Sequence, residues 1–130
     1  LFPYTTLFRS SIRGGATYYR VISNNLPASV HEPDRTWMAL AGYNMGPAHI
    51  DRARKLAQRA GDDADKWLVV SQYLRQMAQE ARRNGRNIPV GQALLYVQQV
   101  RRYYDSLLMI STPRDERVGS INTAQIRQIH

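Results

Sequence analysis

Residues 38–50, MALAGYNMGPAHI, decide how the chain is read. An apolar helical run reaches Asn44, meets Gly46 and Pro47, and a second helical pattern begins at once. Glycine just past a helix supplies the left-handed conformation that ends it. Proline suits the first turn of the next helix, because its missing N–H leaves no donor unpaired there. The stretch predicts a helix, a tight corner with Gly46 left-handed, and a second helix opened by Pro47. Asn44 shares a face with Trp37 and Leu40 or Ala41, which predicts a buried amide. Such a group must find partners or cost about 1–3 kcal/mol. Its side chain either braces the corner or stands with Tyr43 before a cleft and meets a substrate. One rigid corner can do both.

Working outward, Ile12, Ala16, Tyr19 and Ile22 step by three and four along one helical face that Ser11 can cap. NNLPASVHEP (24–33) is a loop, and Asp34 caps the next helix or sits in its first turn. Beyond the corner, Ile50, Ala53, Ala57 and Ala60 form the inner face of a third helix, which stops at Gly61. After DDAD (62–65), Trp67, Val70, Leu74, Met77 or Ala78, and Ala81 mark a fourth helix, ended by RRNGRN (82–87). A fifth runs from about Pro89 to Met109, with Ala93, Val97, Val100, Tyr104 and Leu107 as its core stripe. The expected class is all-α, with about five helices and short connections. Residues 1–10, LFPYTTLFRS, do not match this pattern and resemble translated sequencing-adapter sequence, so they are set aside as an artefactual segment. Residues 111–130 form a polar tail with one weak helical turn near Ile126.

The 130 residues suffice for one domain or less, and 43% hydrophobic content predicts folding rather than disorder. No run of about 18 apolar residues encodes a membrane span, and no signal peptide is visible. The chain has no cysteine, which excludes disulfides and thiolate metal sites. His31, His49 and His130 are scattered without metal-ligand spacing, so no metal site is expected. A net charge of +8, nearly all from arginine, suits a polyanionic partner or a solvated helical surface.

General acid–base chemistry requires a carboxyl group tuned by its surroundings. Glu32 lies in a loop, Glu80 on a helix surface beside Arg82, and Glu116 in the polar tail, so none is set among apolar residues. No complete catalytic set is present. The fifth helix carries a second stripe, Gln92, Tyr96, Gln99 and Tyr103. Tyrosine rings and amides in a row suit a sugar, though taken alone such a stripe is more often an ordinary helix boundary.

SIRGGATYY (11–19), EPDRTWMALAGYNMGPAHIDRARKLA (32–57) and IPVGQALLYVQQVRRYYDSLL (88–108), in this order, resemble the C-terminal half of a lytic transglycosylase catalytic domain of the lysozyme-like soluble type. The resemblance covers residues 11–110 and implies a lysozyme-like helical fold. It implies cleavage of the β-1,4 bond between N-acetylmuramic acid and N-acetylglucosamine in peptidoglycan, leaving 1,6-anhydromuramic ends, without metal or cofactor. One glutamate would serve as acid and then base. It belongs to a Glu-Ser motif upstream of the SIRGG block, which this sequence lacks, so a fragment without its catalytic glutamate is expected. By the same resemblance, Tyr43, Asn44, Gln92 and Tyr96 are substrate-binding residues on a glycan groove. Gln92 stands where the family commonly has glutamate. Peptidoglycan strands are the implied partner, nucleic acid is not expected, and the implied location is the periplasm. Association with the outer membrane would run through a region upstream of this sequence.

Two other readings remain. Residues 34–60 superficially match a helix-turn-helix, which would make the chain a basic nucleic-acid-binding module, although the second helix begins with few base-reading side chains. The other is a glycan-binding remnant without catalysis.

Overall fold

The computed structural model describes residues 3–111, with side chains from Gly14 onward. Five helices make up the described residues: α1 (Pro3–Asn25), α2 (Asp34–Met45), α3 (Pro47–Ala60), α4 (Trp67–Arg83) and α5 (Val90–Ser111), with no strand among them. The all-α expectation holds. The polar tail lies outside the described residues apart from Ser111, as do Glu116, Ile126 and His130.

The chain divides into two compact units, Leu1–Gln99 and Val100–His130. In the first, α2 is the central helix and packs against α1, α3 and α4, while α3 also packs along α4. This accounts for burial almost all round the middle of α2, at Trp37, Met38, Ala39, Ala41 and Gly42. Small residues allow the close approach. A Cβ on Gly42 would stand 3.1 Å from Cγ2 of Ile22 and 3.5 Å from both Cγ1 of Ile50 and Cα of Pro47. Ala53 and Ala57 on α3 are fully buried beside Ile50, and Val70, Leu74 and Met77 supply the bulk from α4. The described part of the second unit is the end of α5, where every residue from Arg101 to Ser111 is exposed.

Several sequence expectations are corrected. Helix α1 starts at Pro3, so Ser11 lies inside it rather than capping it, and Ala16 is exposed. Ala60 is exposed in the last turn of α3, one residue before the chain turns away at Gly61, whose φ of 82° is left-handed as expected. On α5 the stripe is buried at Ala93 and Val97 and half-buried at Val100, but Tyr104 and Leu107 are exposed. Apolar spacing reports a helix and does not guarantee that something covers it.

Polar side chains fix the connections. Pro33 precedes α2 without a capping side chain. Oε2 of Glu32 does the work instead, accepting from the Thr36 N–H at 3.2 Å and the Thr36 hydroxyl at 2.5 Å. Asp34 opens α2 but also caps a different helix: its Oδ1 accepts from the Trp67 N–H at 2.8 Å, at the positive end of α4. Arg35 ties down the α1–α2 loop, donating through Nε to the Val30 carbonyl at 2.9 Å and through its terminal nitrogens to the carbonyls of Ser23, Leu26 and Pro27. Buried Arg54 donates to the Ala64 carbonyl at 3.0 Å and pairs with Asp65 at 2.5 Å, locking the α3–α4 connection. Tyr73 donates its hydroxyl to Asp62, and that bond, ahead of desolvation and the carboxylate's charge, raises its pKa above the ordinary tyrosine value.

Candidate functional site

The corner between α2 and α3 is where the central helix reaches solvent. The Gly46 N–H bonds the Gly42 carbonyl at 2.9 Å, closing the last turn of α2. Gly46 itself has φ 101° and ψ 135°. This differs from the left-handed helical conformation expected. Gly46 is at once the end of α2 and the residue before α3, so it takes an extended conformation at positive φ, open essentially to glycine alone, and feeds directly into Pro47.

Tyr43 and Asn44 occupy the last turn of α2, and both are exposed. Asn44 is therefore not the buried amide expected. From Ala41 to the end of α2 the buried positions are Ala41, Gly42 and Met45, which turns Asn44 past the edge of the packed face. No desolvation penalty arises there, and the amide is open to solvent. Tyr43, 42% exposed, leans on α1: its ring lies 5.7 Å from the Tyr18 ring at an angle of 51°. Its hydroxyl rests over Gly15, where a Cβ would be only 2.9 Å away. The absence of a side chain at Gly15 thus positions the Tyr43 hydroxyl, a role the sequence reading did not assign, although the Gly14–Gly15 pair inside a helical pattern was a visible signal.

Gln92 and Tyr96 are one turn apart on α5, Gln92 exposed and Tyr96 half-buried. Tyr43 and Asn44 are thus neighbours, as are Gln92 and Tyr96, while the extensively packed helix pairs do not include α2 with α5. The two pairs offer two aromatic faces, two hydroxyls and two amides, the groups that stack on a sugar ring and bond its hydroxyls. The acidic groups differ in kind. Glu32 is engaged with Thr36, and both Glu32 and Glu80 are exposed, so neither has the apolar enclosure that tunes a general acid. No helix among the described residues is long and apolar enough to cross a membrane.

No protein-family model matches the chain. Individual proteins do. Over 106 residues it is 42% identical to a membrane-bound lytic murein transglycosylase F of Marinobacter nauticus, covering 79% of this chain and 21% of that protein. It is 43% identical over 111 residues to the protein of the same name from Pseudomonas syringae pv. syringae, covering 83% of this chain and 22% of that protein. The Alteromonas mediterranea protein of that name is 43% identical over 105 residues, 77% of this chain and 22% of its own length. The chain spans about a fifth of the length of these curated relatives, and through that segment it is a homologue of the lytic murein transglycosylases.

Proposed function

We propose that this chain carries part of the glycan-binding groove of a peptidoglycan lytic transglycosylase. The observation behind the reading is the exposed Tyr43–Asn44 pair, held on a fixed helix corner inside the segment homologous to the murein enzymes. In the complete reaction an acid gives its proton to the oxygen leaving C1 of N-acetylmuramic acid. The same group, now a base, takes the proton of the C6 hydroxyl, and O6 closes on C1 to give the 1,6-anhydro end. No water is consumed and no metal is required, in contrast to the paired carboxylates of ordinary glycosidases. Tyr43, Asn44, Gln92 and Tyr96 bind and orient the glycan. Neither described glutamate, Glu32 or Glu80, is enclosed as such an acid requires, so the role read for the described residues is to hold the strand. The relatives are named for a membrane and for murein, which fits work in the periplasm at the outer membrane.

The test uses glycan strands freed of their peptides by an amidase. The chain should bind them with little dependence on salt, and Asn44→Ala and Tyr96→Ala should each weaken binding roughly tenfold. Incubation with whole sacculi should release no 1,6-anhydromuropeptides. Failure to bind the strands, together with binding of duplex DNA that collapses as salt rises, would make the chain a nucleic-acid module instead.

A further inference from the structure

A second feature lies at the C-terminal end of α4. A cavity of about 70 Å³ is lined by Arg52 of α3, by Met77 and Glu80 of α4, and by Asn84, Arg86 and Ile88 of the loop that follows. The loop is built in advance of any ligand. The Asn84 N–H is shared between the carbonyls of Glu80 and Ala81, at 3.2 and 3.1 Å, the Gly85 N–H bonds that of Arg82 at 3.1 Å, and the Arg86 N–H reaches back to that of Ala81 at 2.7 Å. Gly85 provides the left-handed turn with φ 71°. The backbone of Arg86 is thereby fixed, and its side chain lines the cavity with Arg52.

The charges at this cavity are unspent. Arg52, Glu80 and Arg86 are exposed and form no ion pair among the described residues, whereas nearby Lys55 is engaged with Asp51 at 2.9 Å. Two guanidiniums suit a carboxylate, which each can grip through paired N–H donors. A carboxylate in the same wall repels a bare anion and attracts a cation. Met77 and Ile88 add apolar lining. The combination selects a small group that carries both signs next to a short aliphatic stem.

We propose that this cavity binds the zwitterionic head of an amino acid, its carboxylate on Arg52 and Arg86, its ammonium on Glu80, and its adjoining methylenes on Met77 and Ile88. Resting on the reading of the chain as part of a peptidoglycan enzyme, the head is the distal end of the diamino acid in the stem peptide. That end carries an ammonium and a carboxylate on one carbon when no cross-link occupies the amine. The cavity would then hold uncross-linked stems while the groove holds the strand. A lipid phosphate fits less well, since Glu80 opposes it.

The probe is the stem tripeptide L-Ala–γ-D-Glu–meso-diaminopimelate, compared by calorimetry and NMR with two analogues. In one, lysine replaces the diamino acid and removes the distal carboxylate; in the other, the distal amine is acetylated. The parent peptide should bind roughly tenfold more tightly than either. Arg52→Gln and Arg86→Gln should each abolish its margin over the lysine peptide, and Glu80→Gln its margin over the acetylated one. All three residues are exposed, so helicity and melting should be unchanged. Equal affinity for the three peptides, or no binding at millimolar concentration, overturns the proposal. So does arginine-dependent sedimentation with phosphatidylglycerol vesicles in the absence of peptide binding, which would make the patch a lipid contact. Peptide-free strands that bind while the tripeptide does not would sink the amino-acid pocket alone. Tripeptide binding without strand binding would sink the glycan groove.

Discussion

Arg54→Ala should cost about 3 kcal/mol of folding stability, read from urea denaturation as a lower midpoint with little change in slope. The guanidinium is 6% exposed, and its removal leaves the Ala64 carbonyl and the Asp65 carboxylate without their donor. Breaking a buried pair by deleting one partner typically costs about 3–5 kcal/mol, because the remaining charge is stranded. Asp65 retains 30% exposure and can recover some hydration, which places the expected loss at the lower end. Arg54→Lys should recover only part of it, since one ammonium cannot reproduce two directed N–H bonds to different acceptors. An alanine variant within about 0.5 kcal/mol of the parent, the range of ordinary surface changes, would show that Arg54 does not lock the α3–α4 connection.

Arg35→Ala should be nearly as damaging, at about 2–3 kcal/mol. Hydrogen bonds from a charged donor are worth about 1.5–3 kcal/mol each when desolvated, and partial exposure reduces that. Four carbonyls, three of the loop and that of Ser23 in the last turns of α1, converge on this single guanidinium. The loss should be local as well as global, with faster amide exchange over residues 26–30 than elsewhere in the first unit. Arg35→Lys should restore less than half. Full stability with lysine would mean that charge alone, rather than the planar fork, holds the loop.

These two residues also show where the sequence was silent. Arg35 and Arg54 read as members of an arginine-rich surface, and nothing local separates them from exposed neighbours such as Arg52 or Arg86. Their partners are carbonyls and a carboxylate five to twelve residues away, in loops and at the end of α1. The bond from Trp67 to Asp34 spans 33 residues and leaves no periodic trace at all. Helices, by contrast, are written in spacing. The five elements, the stop at Gly61 and the Pro47 start were legible because each depends on near neighbours. Asn44 was misjudged because a face centred one position away from Trp37 turns its amide outward, and one residue is 100° on a helix. Of the candidate site, the exposed Tyr43 was readable from the corner motif. Gly15 beneath its hydroxyl required the packing of α1 on α2.

The most direct test of the glycan-groove reading is to graft residues 11–108 into the Pseudomonas syringae relative in place of its matching segment, and to measure 1,6-anhydromuropeptide release from sacculi. The graft should be active, and Tyr43→Phe within it should lower turnover about 10–100-fold, the loss of about 1–3 kcal/mol expected when one transition-state hydrogen bond is removed. A folded graft that releases no product, or one that keeps full turnover with Tyr43→Phe, would contradict the account.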